Sequence, residues 1–222
     1  MLAETSQTSA AAGGLTQDLH ERASFVYAVL DFVAQQLPTW RDNPDRGPAD
    51  AETVLTSQLI AHLNGAARHS SWDVLQFRTE EPDTAHRGRR IDIVAAPRGV
   101  VIWIDGRRHT EFDPILPIEC KRLPTPQDSD RDEREYVIHR ARSTGGIQRF
   151  KEGHHGSGHN VVGMIGYIQQ GDGAQWRSRI VGWIDDLVTT QQPRWSSDDR
   201  LELNSPPQFV HRRGSLSAVD GA

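Results

Sequence analysis

One cysteine stands in the 222 residues, so Cys120 has no partner within the chain and no internal disulfide braces the fold. No apolar run approaches the roughly 20 residues that a bilayer-spanning helix needs. Met1 to Gly14 is small and polar, with no basic segment leading into an apolar one, and does not read as a secretory signal. Together these absences predict a cytoplasmic protein with no membrane contact. Walker-type loops, dinucleotide fingerprints, zinc-ligand spacings and internal repeats are also missing, which argues against the enzyme and repeat classes that carry them. Lysine is nearly absent: of 25 Lys+Arg, only Lys121 and Lys151 are lysines. Arginine is a permanent, forked cation, whereas lysine is a compact charge whose pKa responds to burial. A chain that otherwise avoids lysine points to chemistry where it uses one.

What is present suits one α/β domain, since 36% hydrophobic residues is modest but sufficient for a single core. The net charge of -5 argues weakly against nucleic acid, but its distribution is uneven. Residues 87–151 hold 14 Lys+Arg against 10 Asp+Glu, a net of +4, and the remainder holds 11 against 20, a net of -9. A phosphate-facing surface on an acidic body is compatible with that asymmetry.

In chain order, residues 1–16 are rich in Ala, Ser, Thr and Gly and read as a disordered tail. Phe25, Val29, Phe32, Val33 and Leu37 predict a helix over about 18–37, followed by a loop over 38–48. Asp50 is placed to cap a second helix through about Leu63, with Leu55, Leu59 and Leu63 as its buried stripe. Glu52 precedes Leu55 by three residues and shares that stripe's face. A glutamate there wants a partner or a cation, unless it serves only the helix dipole. Strands are predicted over 72–77, 87–96, 100–104 and 115–121, with a turn over 80–84 and a polar excursion over 107–113. Residues 134–142 read as weakly helical, 147–151 as a helical turn, 161–168 as a buried strand and 176–187 as an amphipathic helix. The tail beyond residue 190, counted as an extension over 191–222, offers short strands at 201–203 and 208–211.

Two strands carry charge where charge is expensive. Asp92 sits between Ile91 and Ile93 and faces away from both, so it needs a partner or a metal. In Pro117-Ile118-Glu119-Cys120-Lys121-Arg122-Leu123, alternation puts Glu119 and Lys121 on one face, about 7 Å apart, and Ile118 and Cys120 on the other. A carboxylate able to hold a hard cation, beside a lysine able to meet a phosphate, is a phosphodiesterase arrangement.

These residues, in this order, resemble the PD-(D/E)xK, or restriction-endonuclease-like, nuclease superfamily. The resemblance is carried by Arg90-Ile91-Asp92-Ile93, by Ile118-Glu119-Cys120-Lys121 and by Gly145-Gly146-Ile147-Gln148-Arg149-Phe150, with Glu52 on a preceding helix. It covers roughly residues 50–188 and implies an αβββαβ core, a central mixed sheet flanked by helices, within a domain over 17–190. It implies that Asp92, Glu119 and the backbone carbonyl of Cys120 bind one or two Mg²⁺ ions, with Mn²⁺ able to substitute, and that Glu52 acts on the metal side. Lys121 would orient or deprotonate the attacking water and stabilise charge on the phosphate. Gln148 matches a polar residue many members carry after the lysine strand, and Arg149 and Lys151 would hold the phosphate backbone. The sequence departs from the pattern in lacking the proline before Asp92. It also has a long interval before Glu119, in which Asp105 is an alternative partner, although Asp105 precedes a glycine and looks like a turn residue.

The function so implied is a Mg²⁺-dependent endonuclease acting on DNA rather than RNA, as a homodimer or with a partner protein, in bacterial defence or repair by analogy. The alternative is a catalytically silent nucleic-acid-binding or scaffold subunit of the same fold. In a third reading Glu119 and Lys121 simply pair in an unrelated α/β protein. His154, His155 and His159 are read as part of a Gly/His/Ser loop, with metal or substrate contact as the alternative. Cys120 and the tryptophans are read as core.

Overall fold

A single helical stripe and a pair of parallel strands set the architecture. The computed structural model describes residues 18–22, 24–82, 90–126, 131–139, 145–153 and 159–202. Among them run strand β1 (Asp18–Glu21), helices α1 (Ser24–Arg41) and α2 (Glu52–Arg68), and strands β2 (Leu75–Pro82), β3 (Arg90–Pro97), β4 (Val101–Ile104), β5 (Arg107–His109) and β6 (Leu116–Leu123). Helix α3 (Gly146–Lys151), strand β7 (Gly163–Ile168), helix α4 (Gly173–Thr189) and a 3₁₀ turn (Ser197–Asp199) complete the order. The fold is mixed α/β. A four-stranded sheet has the order β2-β3-β6-β7, and a three-stranded sheet has the order β1-β4-β5. In the larger sheet β3 runs antiparallel to both β2 and β6, and β7 runs parallel to β6.

Alternation along β6 and β7 divides the core. Ile118, Cys120, Ile165 and Tyr167 join the cluster built on Val29 and Val33 of α1 and Leu55, Leu59 and Leu63 of α2. Leu123 faces the other way, into a second cluster with Tyr136, Val137 and the Trp176, Ile180, Ile184 and Leu187 stripe of α4. The sheet is thus covered on both faces, which is what lets an apolar run such as β7 be a parallel strand. Asp172 caps α4 by accepting from Gln175 N at 2.8 Å. The β6-to-β7 connection passes through α3, where the chain comes very close to itself. A methyl group at Gly145 would stand 2.6 Å from the carbonyl carbon of Ile138 and 2.8 Å from His139 N. Gly145→Ala is therefore expected to lower stability by about 2 kcal/mol through overpacking, read as a reduced midpoint in urea unfolding.

Several elements differ from the sequence expectation. Residues 18–21 are not helical but pair in parallel with β4, and α1 begins only at Ser24, where the apolar period itself begins. The same helix continues through Pro38 to Arg41, in place of the expected loop, and buries Trp40 against Tyr167. Asp50 is not a cap: Ala51 holds that position without a side-chain bond, and α2 extends to Arg68. Trp72 precedes β2 and packs on Phe25 and Phe32 instead of pairing in the sheet. The strand itself continues to Pro82 through part of the expected turn. Asp105 and Gly106 take φ of 48° and 80° and close a tight hairpin, so 107–109 is a strand rather than a polar excursion. Residues 133–137 form turns instead of a helix. The expected tail over 1–16, the later strand at 208–211 and His154 and His155 lie outside the described residues, and 201–202 are not in a strand. Among the described residues no helix is long and apolar enough to cross a membrane.

Candidate active site

The larger sheet forks, and the fork is where the charged residues meet. Strands β3 and β6 pair only through Ile93↔Ile118, Val94↔Pro117 and Ala95↔Leu116. Beyond that point β3 stays with β2 as far as Arg90, while β6 stays with β7 as far as Leu123. Strand N–H groups two residues apart leave the same edge, so those of Cys120 and Arg122 point into the opening with no strand opposite. Side chains take the missing strand's place. Asp92 Oδ2 accepts from Cys120 N at 2.7 Å, and Glu52 Oε2 accepts from Arg122 N at 3.0 Å. The start of α2 thereby reaches β6 through its first helical residue, Glu52.

On the adjacent face of β6, Glu119 is fully buried and Lys121 is 6% exposed. Lys121 Nζ lies 3.0 Å from Glu119 Oε1 and 3.5 Å from Glu52 Oε1. Arg149, on α3, donates from Nη1 to the same Glu119 oxygen. Three carboxylates and two cations are thus drawn to one end of one strand. Burial, and next the charge of Glu119, push the Asp92 carboxyl up to about 6. Burial by itself would lower the pKa of Lys121, but Glu119, Glu52 and Asp92 outweigh it and hold the ammonium above its ordinary value. In this arrangement Lys121 is a positive charge and a hydrogen-bond donor, the form suited to orienting water and stabilising charge.

The structure does not bring every expected residue here. The Gln148 amide is engaged locally: its Oε1 accepts from His139 N at 3.1 Å and its Nε2 donates to Glu152 at 2.8 Å. It fastens the 131–139 loop to α3 and shows no hydrogen bond to the carboxylates of the fork. Lys151, expected to hold phosphate, is instead clamped to the buried Asp199 at 2.7 Å and lies over Trp195. Asp105 occupies the hairpin turn of the other sheet, whereas Asp92 is bonded to β6. His159 precedes β7 and is half-buried. Cys120 is fully buried, and burial raises its thiol pKa.

Three threonines were missed. A cavity of about 50 Å³ in the fork is lined by Glu52, Thr53, Thr56, Thr79 and Asp92, all of which bear side-chain oxygen. Thr56 also bonds Tyr167 Oη at 3.1 Å, and Tyr167 donates to Cys120 Sγ at 3.4 Å, which ties α2 to β6 and β7 below the carboxylates. The available signal was spacing, since Thr56 stands four residues after Glu52 and so on the same side of α2.

The donor set fits a hard divalent cation. It consists of carboxylate, hydroxyl and backbone oxygens, and the Cys120 carbonyl leaves β6 on the same edge as its N–H. Among the described residues no three or more His, Cys, Asp or Glu side chains are grouped so as to hold a metal ion by themselves. A cation here would rely on one or two carboxylates, a carbonyl and substrate oxygens, which is how Mg²⁺ is usually held. Comparison with protein-family models, curated proteins and solved structures returns no match, so the functional reading rests on this geometry.

Proposed function

We propose that the chain is a Mg²⁺-dependent nuclease, with Mn²⁺ able to substitute, that hydrolyses phosphodiester bonds of DNA and has a restriction-endonuclease-like core. The observation that carries this reading is the convergence of Glu52, Asp92, Glu119 and Lys121 on one forked edge of β6. The order α2-β2-β3-β6-α3-β7, with the β4–β5 hairpin inserted, supports the core assignment. Asp92, Glu119 and the Cys120 carbonyl would hold the cation, with Glu52 completing its surroundings from α2. A bound cation supplies an activated nucleophile and offsets charge on the scissile phosphate. Lys121 adds a fixed positive charge in a water-poor site, where such a charge acts most strongly on a developing oxyanion. Specificity would come from a second copy of the chain or from a partner protein, since the acidic body supplies little non-specific attraction to DNA.

The test incubates plasmid, linear duplex, single-stranded DNA and RNA with Mg²⁺, Mn²⁺ or EDTA, using wild type and Asp92→Asn. Metal-dependent cutting of DNA by wild type, at least about 10²-fold weaker in the variant, is the expected result. Folded wild-type protein that cuts nothing would sink the enzyme reading and favour the silent-subunit one.

A further inference from the structure

The fully buried Glu119 carboxylate is neutralised by two cations that share one oxygen, and the two are not equivalent. Lys121 is anchored two residues along the same strand, its side chain is 8% exposed, and Glu52 holds it from the other side. Arg149 arrives from the six-residue helix α3, and its side chain is 23% exposed. One cation is built into the sheet, and the other has a way out to solvent.

Charge counting shows when Arg149 would leave. Glu52, Asp92 and Glu119 contribute three negative charges, and Lys121 and Arg149 two positive ones, so the group carries a net of -1. A divalent cation brings it to +1, and the Arg149 charge beside Glu119 is then in surplus and repelled. A phosphodiester brings the total back to zero. A guanidinium also matches phosphate oxygens with two parallel donors, a geometry that a lone carboxylate oxygen does not use.

We infer that Arg149 is a displaceable counter-ion of Glu119, expelled when a divalent cation binds and thereby released to grip the substrate phosphate. The inference rests on the metal-dependent nuclease reading. It makes metal and DNA binding mutually reinforcing, because the guanidinium that competes with one ligand attracts the other, and such coupling is reciprocal.

Mn²⁺ titrated calorimetrically into metal-free wild type and Arg149→Gln tests it. The variant should bind Mn²⁺ roughly tenfold more tightly, equivalent to about 1.4 kcal/mol, because the competitor is gone. Duplex DNA binding measured with Ca²⁺, which avoids turnover, should strengthen on adding metal in wild type and clearly less in the variant. Equal or weaker Mn²⁺ binding by Arg149→Gln overturns the inference while leaving the metal site standing. Failure of wild type to bind Mn²⁺ at all overturns both. A measurement on wild type alone guards against a variant that misfolds. The guanidinium protons of Arg149 should exchange faster with water once Mg²⁺ is added, and unchanged exchange counts against displacement.

Discussion

Lys121→Met should abolish DNA cleavage, by roughly 10³-fold, while leaving divalent-metal binding in place. The ammonium lies 3.0 Å from Glu119 and 3.5 Å from Glu52, and all three carboxylates of the site keep it charged. Methionine fills nearly the same space without the charge. Removing one partner of a buried ion pair ordinarily costs about 3–5 kcal/mol, because the other charge is left uncompensated. Here Arg149 remains on the same Glu119 oxygen, so the folded state should survive with only part of that loss. Lys121→Arg should not restore activity, since a planar fork cannot occupy the position of a point charge between two carboxylates. Single-turnover cleavage assays beside a Mn²⁺ titration separate the outcomes. Undiminished cutting by Lys121→Met would place the chemistry elsewhere.

Asp92→Asn should make the metal-free protein more stable at neutral pH even as it removes activity. The Asp92 carboxyl is raised from 3.8 to about 6 in the folded state, chiefly by burial and then by the charge of Glu119. The folded form therefore binds this proton more tightly than the unfolded form does. Its contribution to stability is fully present below about pH 4 and is lost as pH rises through about 6. Above that range the penalty levels off near about 3 kcal/mol, from 1.36 kcal/mol for each of roughly two pKa units. Asparagine keeps an oxygen for Cys120 N and carries no charge, so it escapes the penalty. Urea unfolding in EDTA should show the variant gaining over wild type at about pH 8 and not at about pH 4. Mg²⁺ at the higher pH should close the gap by stabilising wild type alone. A variant less stable than wild type at high pH without metal would contradict this account of the site.

The parts of the fold that could be read from the sequence were those set by neighbours in the chain. The Leu55, Leu59 and Leu63 stripe, the Trp176 to Leu187 stripe and the β6 alternation all follow from local periodicity, and the structure buries the faces they specify. Aspartate amid isoleucines and a glutamate-lysine pair on one strand marked where to look for a site, because each is costly without a distant partner. Which partner each one found is a long-range fact. Glu52 meets a backbone amide 70 residues away, and Arg149 meets Glu119 across 30 residues, on a pairing that no spacing encodes. Lys151 looked equivalent to Arg149 because both lie on one helical turn, yet Asp199 takes it. Asp105-Gly106 reads as a turn in the sequence, but the short polar strand that follows it, Arg107–His109, has no apolar alternation to announce it. Residues 18–21 were absorbed into the following helix because four residues are too few to show a period of their own.

The fork in the sheet also bears on inheritance. Where β3 and β6 part, Asp92 and Glu52 stand in for a strand that is not there, each receiving one main-chain amide. A lineage without the proposed hydrolysis would still need an acceptor at both positions to keep this edge closed, and asparagine or glutamine would serve. Position 121 is under no such architectural demand, since Lys121 Nζ is matched to Glu52 and Glu119 side chains rather than to the backbone. Among descendants of this chain, any oxygen acceptor at 52 and 92 would therefore satisfy the scaffold, whereas acids kept there at a cost in stability, together with the lysine, would mark a line that had kept the proposed chemistry.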